Sequence, residues 1–152
     1  MILHPPRAVT PLHSEHETAG PLVVIVEDHP LHAHVLRRAL AGRLPGGRVE
    51  LFADGAAAFR RLLDRAARVP DLLVLDLDVP GRHGHELLGD CASDSRLRDV
   101  PAVVVTSSAD PADRARSLEL GAAMHLPKPV DAAGFLQLAD GLAALVSPSR
   151  AG

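Results

Sequence analysis

Tryptophan and tyrosine are absent from this 152-residue chain, phenylalanine occurs three times and cysteine once. With a single thiol, Cys91, neither an internal disulfide nor a cysteine-rich metal site can form. So few aromatics and a formal net charge of −3 supply neither the stacking platform nor the basic face of a nucleic-acid binder, and no nucleic acid is expected as a partner. No apolar run approaches the ~20 residues that a membrane span needs, so no membrane partner is expected either. No apolar core follows Arg7, as it would in a secretion signal. A cytoplasmic location is the resulting expectation.

The composition itself, 47% hydrophobic and 23% charged, is that of a globular domain, and this length suits one domain with a substantial core. Residues 1–20 carry Pro5, Pro6, Pro11, His13, Glu15 and Glu17 without helical or strand period, which predicts a disordered tail. Residues 147–152 read as a second tail, leaving a domain over 21–146.

Strand-like and helix-like segments alternate five times within that domain. Strands are expected at 22–26, 48–52, 72–76, 102–106 and 123–126. Pro30 suits a first helical position and Gly42 a position past that helix's end. Asp54 can cap the second helix, Asp110-Pro111 opens the fourth and Gly121 closes it, and the fifth starts near Asp131. Such alternation implies a parallel sheet with helices on both faces. The first, third and fourth strands are continuously apolar, as strands covered on both faces must be. The second begins by alternating, and the fifth is short and contains His125, so these two suit the edges. The order 2-1-3-4-5 satisfies all five assignments.

That order reverses direction between strands 1 and 3, and open α/β sheets bind ligands beyond the strands' carboxyl ends at such a point. Glu27, Asp28 and Asp76 fall there. Three carboxylates in one pocket repel one another unless a proton or a cation intervenes. A hard divalent ion with oxygen ligands relieves this, which suggests Mg²⁺-assisted phosphoryl chemistry. An Asp in such a pocket can also serve as covalent phosphate acceptor. Thr106 and Lys128, at the ends of strands 4 and 5, can each contact a phosphoryl oxygen. The bland alternative is that Glu27 and Asp28 simply cap the first helix.

Val26-Glu27-Asp28, Asp76-Leu77-Asp78-Val79-Pro80 with Gly84 eight residues after Asp76, Thr106-Ser107 and Lys128-Pro129 together resemble a response-regulator receiver domain of two-component signalling, CheY-like. The resemblance implies a flavodoxin-like (βα)5 three-layer sandwich and a phosphoacceptor at Asp76. It implies Mg²⁺ held by Asp28, Asp76 and the backbone carbonyl of Asp78, with Glu27 acting through water, and phosphoryl oxygens held by Thr106 and Lys128. It also implies a cis bond between Lys128 and Pro129, and a bearing of Asp78 and Ser108 on phosphate lifetime. The family often has Tyr or Phe where this chain has His125, so a titratable imidazole stands at a switch position. The implied partners are a sensor histidine kinase and a separate effector or phosphotransfer protein, reached through protein–protein contacts. Residues 93–101 and the general layout resemble stand-alone regulators of phytochrome-like kinases, which are often homodimers through helix 4, strand 5 and helix 5.

Two other chemistries share some of these residues. Asp76 and Asp78 fit the aspartate signature of haloacid-dehalogenase-type phosphatases, but those place their acidic pair after the lysine. A histidine phosphotransfer protein would be a helical bundle, against which the five strands argue. On the receiver reading the chain is no enzyme beyond its own phosphorylation and dephosphorylation. The nine histidines contain no two-plus-two ligand set, so His29, His32, His34, His83 and His85 are expected on solvated surface. Arg60, Arg61, Arg65 and Arg68 are expected on an exposed helix face.

Overall fold

The computed structural model describes residues 20–146; apart from Gly20, the expected tails lie outside the described residues. The elements are β1 (Leu22–Val26), α1 (Pro30–Ala41), β2 (Arg48–Phe52), α2 (Gly55–Leu62), β3 (Leu72–Leu75), α3 (Gly84–Ala92), β4 (Ala102–Thr106), α4 (Pro111–Glu119), β5 (Met124–Pro127) and α5 (Ala132–Leu145). All strand pairs are parallel and the sheet order is β2-β1-β3-β4-β5. This is the expected flavodoxin-like arrangement.

Burial follows the same logic as the order. β1, β3 and β4 are buried throughout, whereas β2 and β5 keep exposed or half-buried positions at the edges. Helix starts are set by side-chain caps: Asp54 accepts from the N–H groups of Ala56 and Ala57, Asp110 from Ala112 and Asp131 from Gly134. The cap of α1 is His29, so neither Glu27 nor Asp28 is spent as its N-cap. Gly121, at φ +102°, takes the left-handed conformation just past the α4 cap, where a β-carbon would be strained.

Two apolar layers sandwich the sheet. On one face Leu36, Ala39 and Leu40 of α1 and Phe135, Ala139 and Leu142 of α5 pack on Val23, Ile25, Val74 and Val103. On the other, Ala58 and Leu62 of α2 and Leu87, Leu88 and Cys91 of α3 pack on Val24, Val26, Leu73 and Val104. Burial pushes the Cys91 thiol up to about 12, which makes it a core residue rather than a nucleophile. The exception to apolar packing is α4, whose only buried residue is Ser117.

Local expectations change in four places. β3 ends at Leu75 and β5 runs Met124–Pro127, each boundary shifted by one residue. No peptide bond among the described residues is cis, so the Lys128–Pro129 bond is trans, contrary to expectation. The trans form is intrinsically favoured by about 0.5–1 kcal/mol, and the Lys128 N–H before that bond donates to the Thr106 carbonyl. Arg61 is not on an exposed face, because its Nε donates to Glu50 at 2.8 Å across to β2, and Arg65 and Arg68 lie past the end of α2 at Leu62. His29 and His83 are helix caps, and His85 is half-buried against α4. No helix among the described residues is long and apolar enough to cross a membrane.

Candidate functional site

The sheet's hydrogen bonds deliver the acidic residues to one place. The N–H of Glu27 donates to the Phe52 carbonyl at 2.9 Å, and the N–H of Asp76 donates to the Val26 carbonyl at 3.0 Å. The chain therefore leaves β1 and β3 in register, one residue past their apolar runs. Glu27, Asp28 and Asp76 each offer a carboxylate oxygen, and these oxygens lie within 4.8 Å of one another. Glu27 and Asp76 are buried while Asp28 is exposed, so the cluster opens to solvent on one side.

Lys128 enters from β5, whose register with β4 is fixed by the Lys128 N–H donating to the Thr106 carbonyl at 2.9 Å. Its ammonium lies 2.8 Å from Glu27 Oε1 and 3.0 Å from Asp76 Oδ2. Burial alone would push this ammonium down, yet its bonds to Glu27 and Asp76 outweigh that and hold it above the usual lysine value. Breaking either contact would strand a buried charge. Three carboxylates face one ammonium, so carboxylates outnumber the local cation, an imbalance that a divalent cation relieves. The donors are all oxygen, as a hard ion of the Mg²⁺ or Mn²⁺ kind prefers.

Thr106 closes β4 and is almost fully buried, with its Oγ1 accepting from the Ser108 N–H at 3.1 Å. Asp78 is exposed; its N–H approaches Asp76 Oδ1 at 3.5 Å, and His83 Nε2 stands 3.9 Å from its carboxylate. Gly84 keeps α3 close to the acceptor strand. A β-carbon there would meet the Asp76 carbonyl oxygen, Leu75 Cδ1 and Leu77 Cα, each at 2.8 Å, closer than any real β-carbon packs. The glycine eight residues after Asp76 is thus a packing requirement of the site.

Glu27, Asp28, Asp76 and Lys128, singled out in the sequence, meet in this cluster. His125 does not join it. That ring, on β5, is buried, with Nδ1 2.9 Å from the Ser117 hydroxyl. Sequence reasoning missed Ser117 altogether, and also Asp113, whose carboxylate accepts from the Ser108 hydroxyl at 2.5 Å. The available signal was their i, i+4 spacing on a helix with no apolar stripe.

Comparisons with known proteins point to one family. The sequence matches the family model of the response regulator receiver domain over residues 23–140. It is 35% identical over 112 residues to the probable methanogenesis regulatory protein FilR2 of Methanothrix harundinacea, covering 72% of each chain. It is 35% identical over 107 residues to the KDP operon transcriptional regulatory protein KdpE of Escherichia coli, covering 70% of this chain but only 44% of that one. Among solved structures, the Mn²⁺-bound form of response regulator Rcp1 superposes with a TM-score of 0.74 at 25% identity, over 80% of this chain and 90% of that one. The phosphorylated cyanobacterial phytochrome response regulator RcpA gives 0.73 at 29%, over 81% and 91%. The receiver domain of the Pseudomonas aeruginosa sensor histidine kinase PA1611, with magnesium in its active-site cleft, gives 0.67 at 27%, over 83% and 99%. Nothing in these comparisons supports the dehalogenase-type phosphatase.

Proposed function

The chain belongs to the response regulator receiver domain family, and from that premise we propose that Asp76 accepts a phosphoryl group from a partner's phosphohistidine. The observation that carries this is the Asp76 carboxylate itself, set past β3 inside an all-oxygen cluster with Lys128 3.0 Å from its Oδ2. Oδ1 has only the long 3.5 Å approach of the Asp78 N–H and is the freer oxygen to attack phosphorus. As its new P–O bond forms, the P–N bond of the donor breaks and its electron pair stays on that ring nitrogen. With a proton already on the donor's other ring nitrogen, the products are an acyl phosphate and a neutral imidazole.

Mg²⁺, held by Asp28, Asp76 and the Asp78 carbonyl with Glu27 acting through water, would supply charge neutralisation at the transferring oxygens. The oxygen donor set supports that ion, as do the magnesium and manganese in solved relatives. Lys128 then pairs with a phosphoryl oxygen, and the Thr106 hydroxyl donates to another. On this reading the chain catalyses only its own phosphorylation and dephosphorylation.

Signalling runs through protein contacts, with a sensor histidine kinase as donor and an effector or phosphotransfer protein as receiver. The likeness to RcpA supports a phytochrome-like kinase. Leu31, 62% exposed beside the α1 cap, and Val130, 98% exposed two residues after Lys128, offer apolar contacts near the acceptor. Leu118 on α4, Met124 on β5 and Leu136 on α5 are 43%, 39% and 47% exposed, which supports a homodimer through those three elements.

Intact-mass measurement after incubation with acetyl phosphate and Mg²⁺ tests the acceptor. The unaltered chain gains one phosphoryl group and Asp76→Asn gains none; an Asn variant that is still phosphorylated would overturn the assignment.

A further inference from the structure

Helix α4 is held in a way no other helix is. Its residues are exposed except Asp113, half-buried, and Ser117, 0% exposed. The Ser117 hydroxyl lies 2.9 Å from the Asp113 carbonyl, 3.0 Å from His85 Nε2 on α3 and 2.9 Å from His125 Nδ1 on β5. A serine hydroxyl has one proton to donate and two lone pairs. A carbonyl can only accept, so the proton goes to Asp113. Both lone pairs are then left for ring N–H donors, and the hydroxyl is fully used. This fixes His85 as the Nε2–H tautomer and His125 as the Nδ1–H tautomer.

The same helix leads back to the candidate site. The Ser108 N–H donates to Thr106 Oγ1 at 3.1 Å, and the Ser108 hydroxyl donates to the Asp113 carboxylate at 2.5 Å. Arg114 Nη1 adds a second tie, donating to the His125 carbonyl at 2.9 Å. Thr106 and Ser108 thus reach the Asp113 carboxylate, while Ser117, with His125 and His85 on its hydroxyl, reaches the Asp113 carbonyl. The two hydrogen-bonded groups join through Asp113 across β4, α4, β5 and α3.

We propose that Ser117 is the positioning residue of α4, joining His85 and His125 through Asp113 and Ser108 to the Thr106 hydroxyl, so that a change at Thr106 reaches α3, α4 and β5 along these hydrogen bonds and the Asp113 residue that links them. If Thr106 turns its hydroxyl to another acceptor, the Ser108 N–H loses its partner, and the first turn of α4 is released from β4. With no apolar stripe to resist it, α4 then resettles around Ser117. The static chain stands without the phosphorylation reading; its use as a signal route rests on that reading.

Ring-nitrogen NMR on the full chain, labelled at histidine, tests both parts. In the free protein at a pH above the ordinary histidine value, His125 should show the Nδ1–H tautomer and His85 the Nε2–H tautomer. Ser117→Ala should turn both into averaged mixtures. Thr106→Val and the milder, half-exposed Ser108→Ala should shift both rings, while Ser107→Ala, exposed and outside the chain, should leave them in place. Averaged rings in the unaltered protein, or rings unmoved by Thr106→Val and Ser108→Ala in folded samples, would sink the proposal. With Mg²⁺ and beryllofluoride added, the ring signals should move in the unaltered protein and stay fixed in Ser108→Ala. If Asp76 is shown by mass to be phosphorylated while the rings do not respond, the signal route is wrong. If Asp76 takes no phosphate yet the Thr106 and Ser108 variants still shift the rings, the coupling stands and the acceptor reading fails.

Discussion

The α1/α5 flank of the sheet and helix α4 are held on different principles. On that flank α1 and α5 bury Ala33, Leu36, Ala39 and Leu40 against Phe135, Ala139 and Leu142, a contact that is stable because it removes apolar surface from water. Beside the equally apolar layer of α2 and α3, helix α4 alone buries one serine and is held by its hydroxyl and by two neighbouring ties. Dispersion and the hydrophobic effect are short-ranged but tolerant of small displacements, whereas hydrogen bonds are directional and exchange partners in discrete steps. The apolar flank therefore suits a scaffold and helix α4 a two-position element. The buried Glu27 and Asp76, with Lys128, sit past the ends of the strands that these helices cover.

The largest effect should fall on the apolar flank. Leu40→Ala removes a fully buried side chain and should cost about 2–5 kcal/mol of unfolding free energy, read by urea denaturation. Ser117→Ala deletes one oxygen but leaves two ring N–H groups without an acceptor, and should cost about 1–3 kcal/mol. A loss equal to that of Leu40→Ala would remove the contrast between that flank and α4.

A pH series sharpens the comparison further. Burial pushes His125 below its ordinary 6.5, with Arg114 lowering it further and Asp113 opposing. Burial likewise pushes His85 below 6.5, with His83 and Arg116 lowering it and Asp113 opposing. In the window between the folded values and 6.5 the unfolded chain binds more protons, so stability should fall as pH drops through that window and be flat above it. His125→Gln should shallow that slope, whereas Leu40→Ala should lower the whole curve without changing it.

The smallest effect should come from the surface of the apolar flank. Asp140 of α5 takes Arg43 Nε at 2.5 Å, but its own side chain is 68% exposed. Asp140→Ala should cost no more than about 1 kcal/mol, and less at high salt.

Much of this was readable in the chain itself. Continuous apolar runs at β1, β3 and β4 against mixed β2 and β5 fixed which strands lie inside, because a strand covered on both faces has no room for polar side chains. Order then followed, and with it the position of Glu27, Asp28 and Asp76. The Ser117 junction was not readable: His85 is 32 residues away and His125 eight, and nothing local says that two imidazoles will point at one hydroxyl. His85 reads from the sequence as solvated surface because the nine histidines contain no two-plus-two ligand set.

The chain alone thus determined the layered architecture and the acidic cluster, since both depend on the period of apolar residues and on where strands end. Tertiary structure alone decided what Lys128 pairs with, that Lys128–Pro129 is trans, and that His85 and His125 share Ser117. Those depend on side-chain directions from separate elements meeting within about 3 Å, the range of a hydrogen bond. Periodicity along a sequence sets which face a residue occupies; only the packed sheet sets which atom it touches.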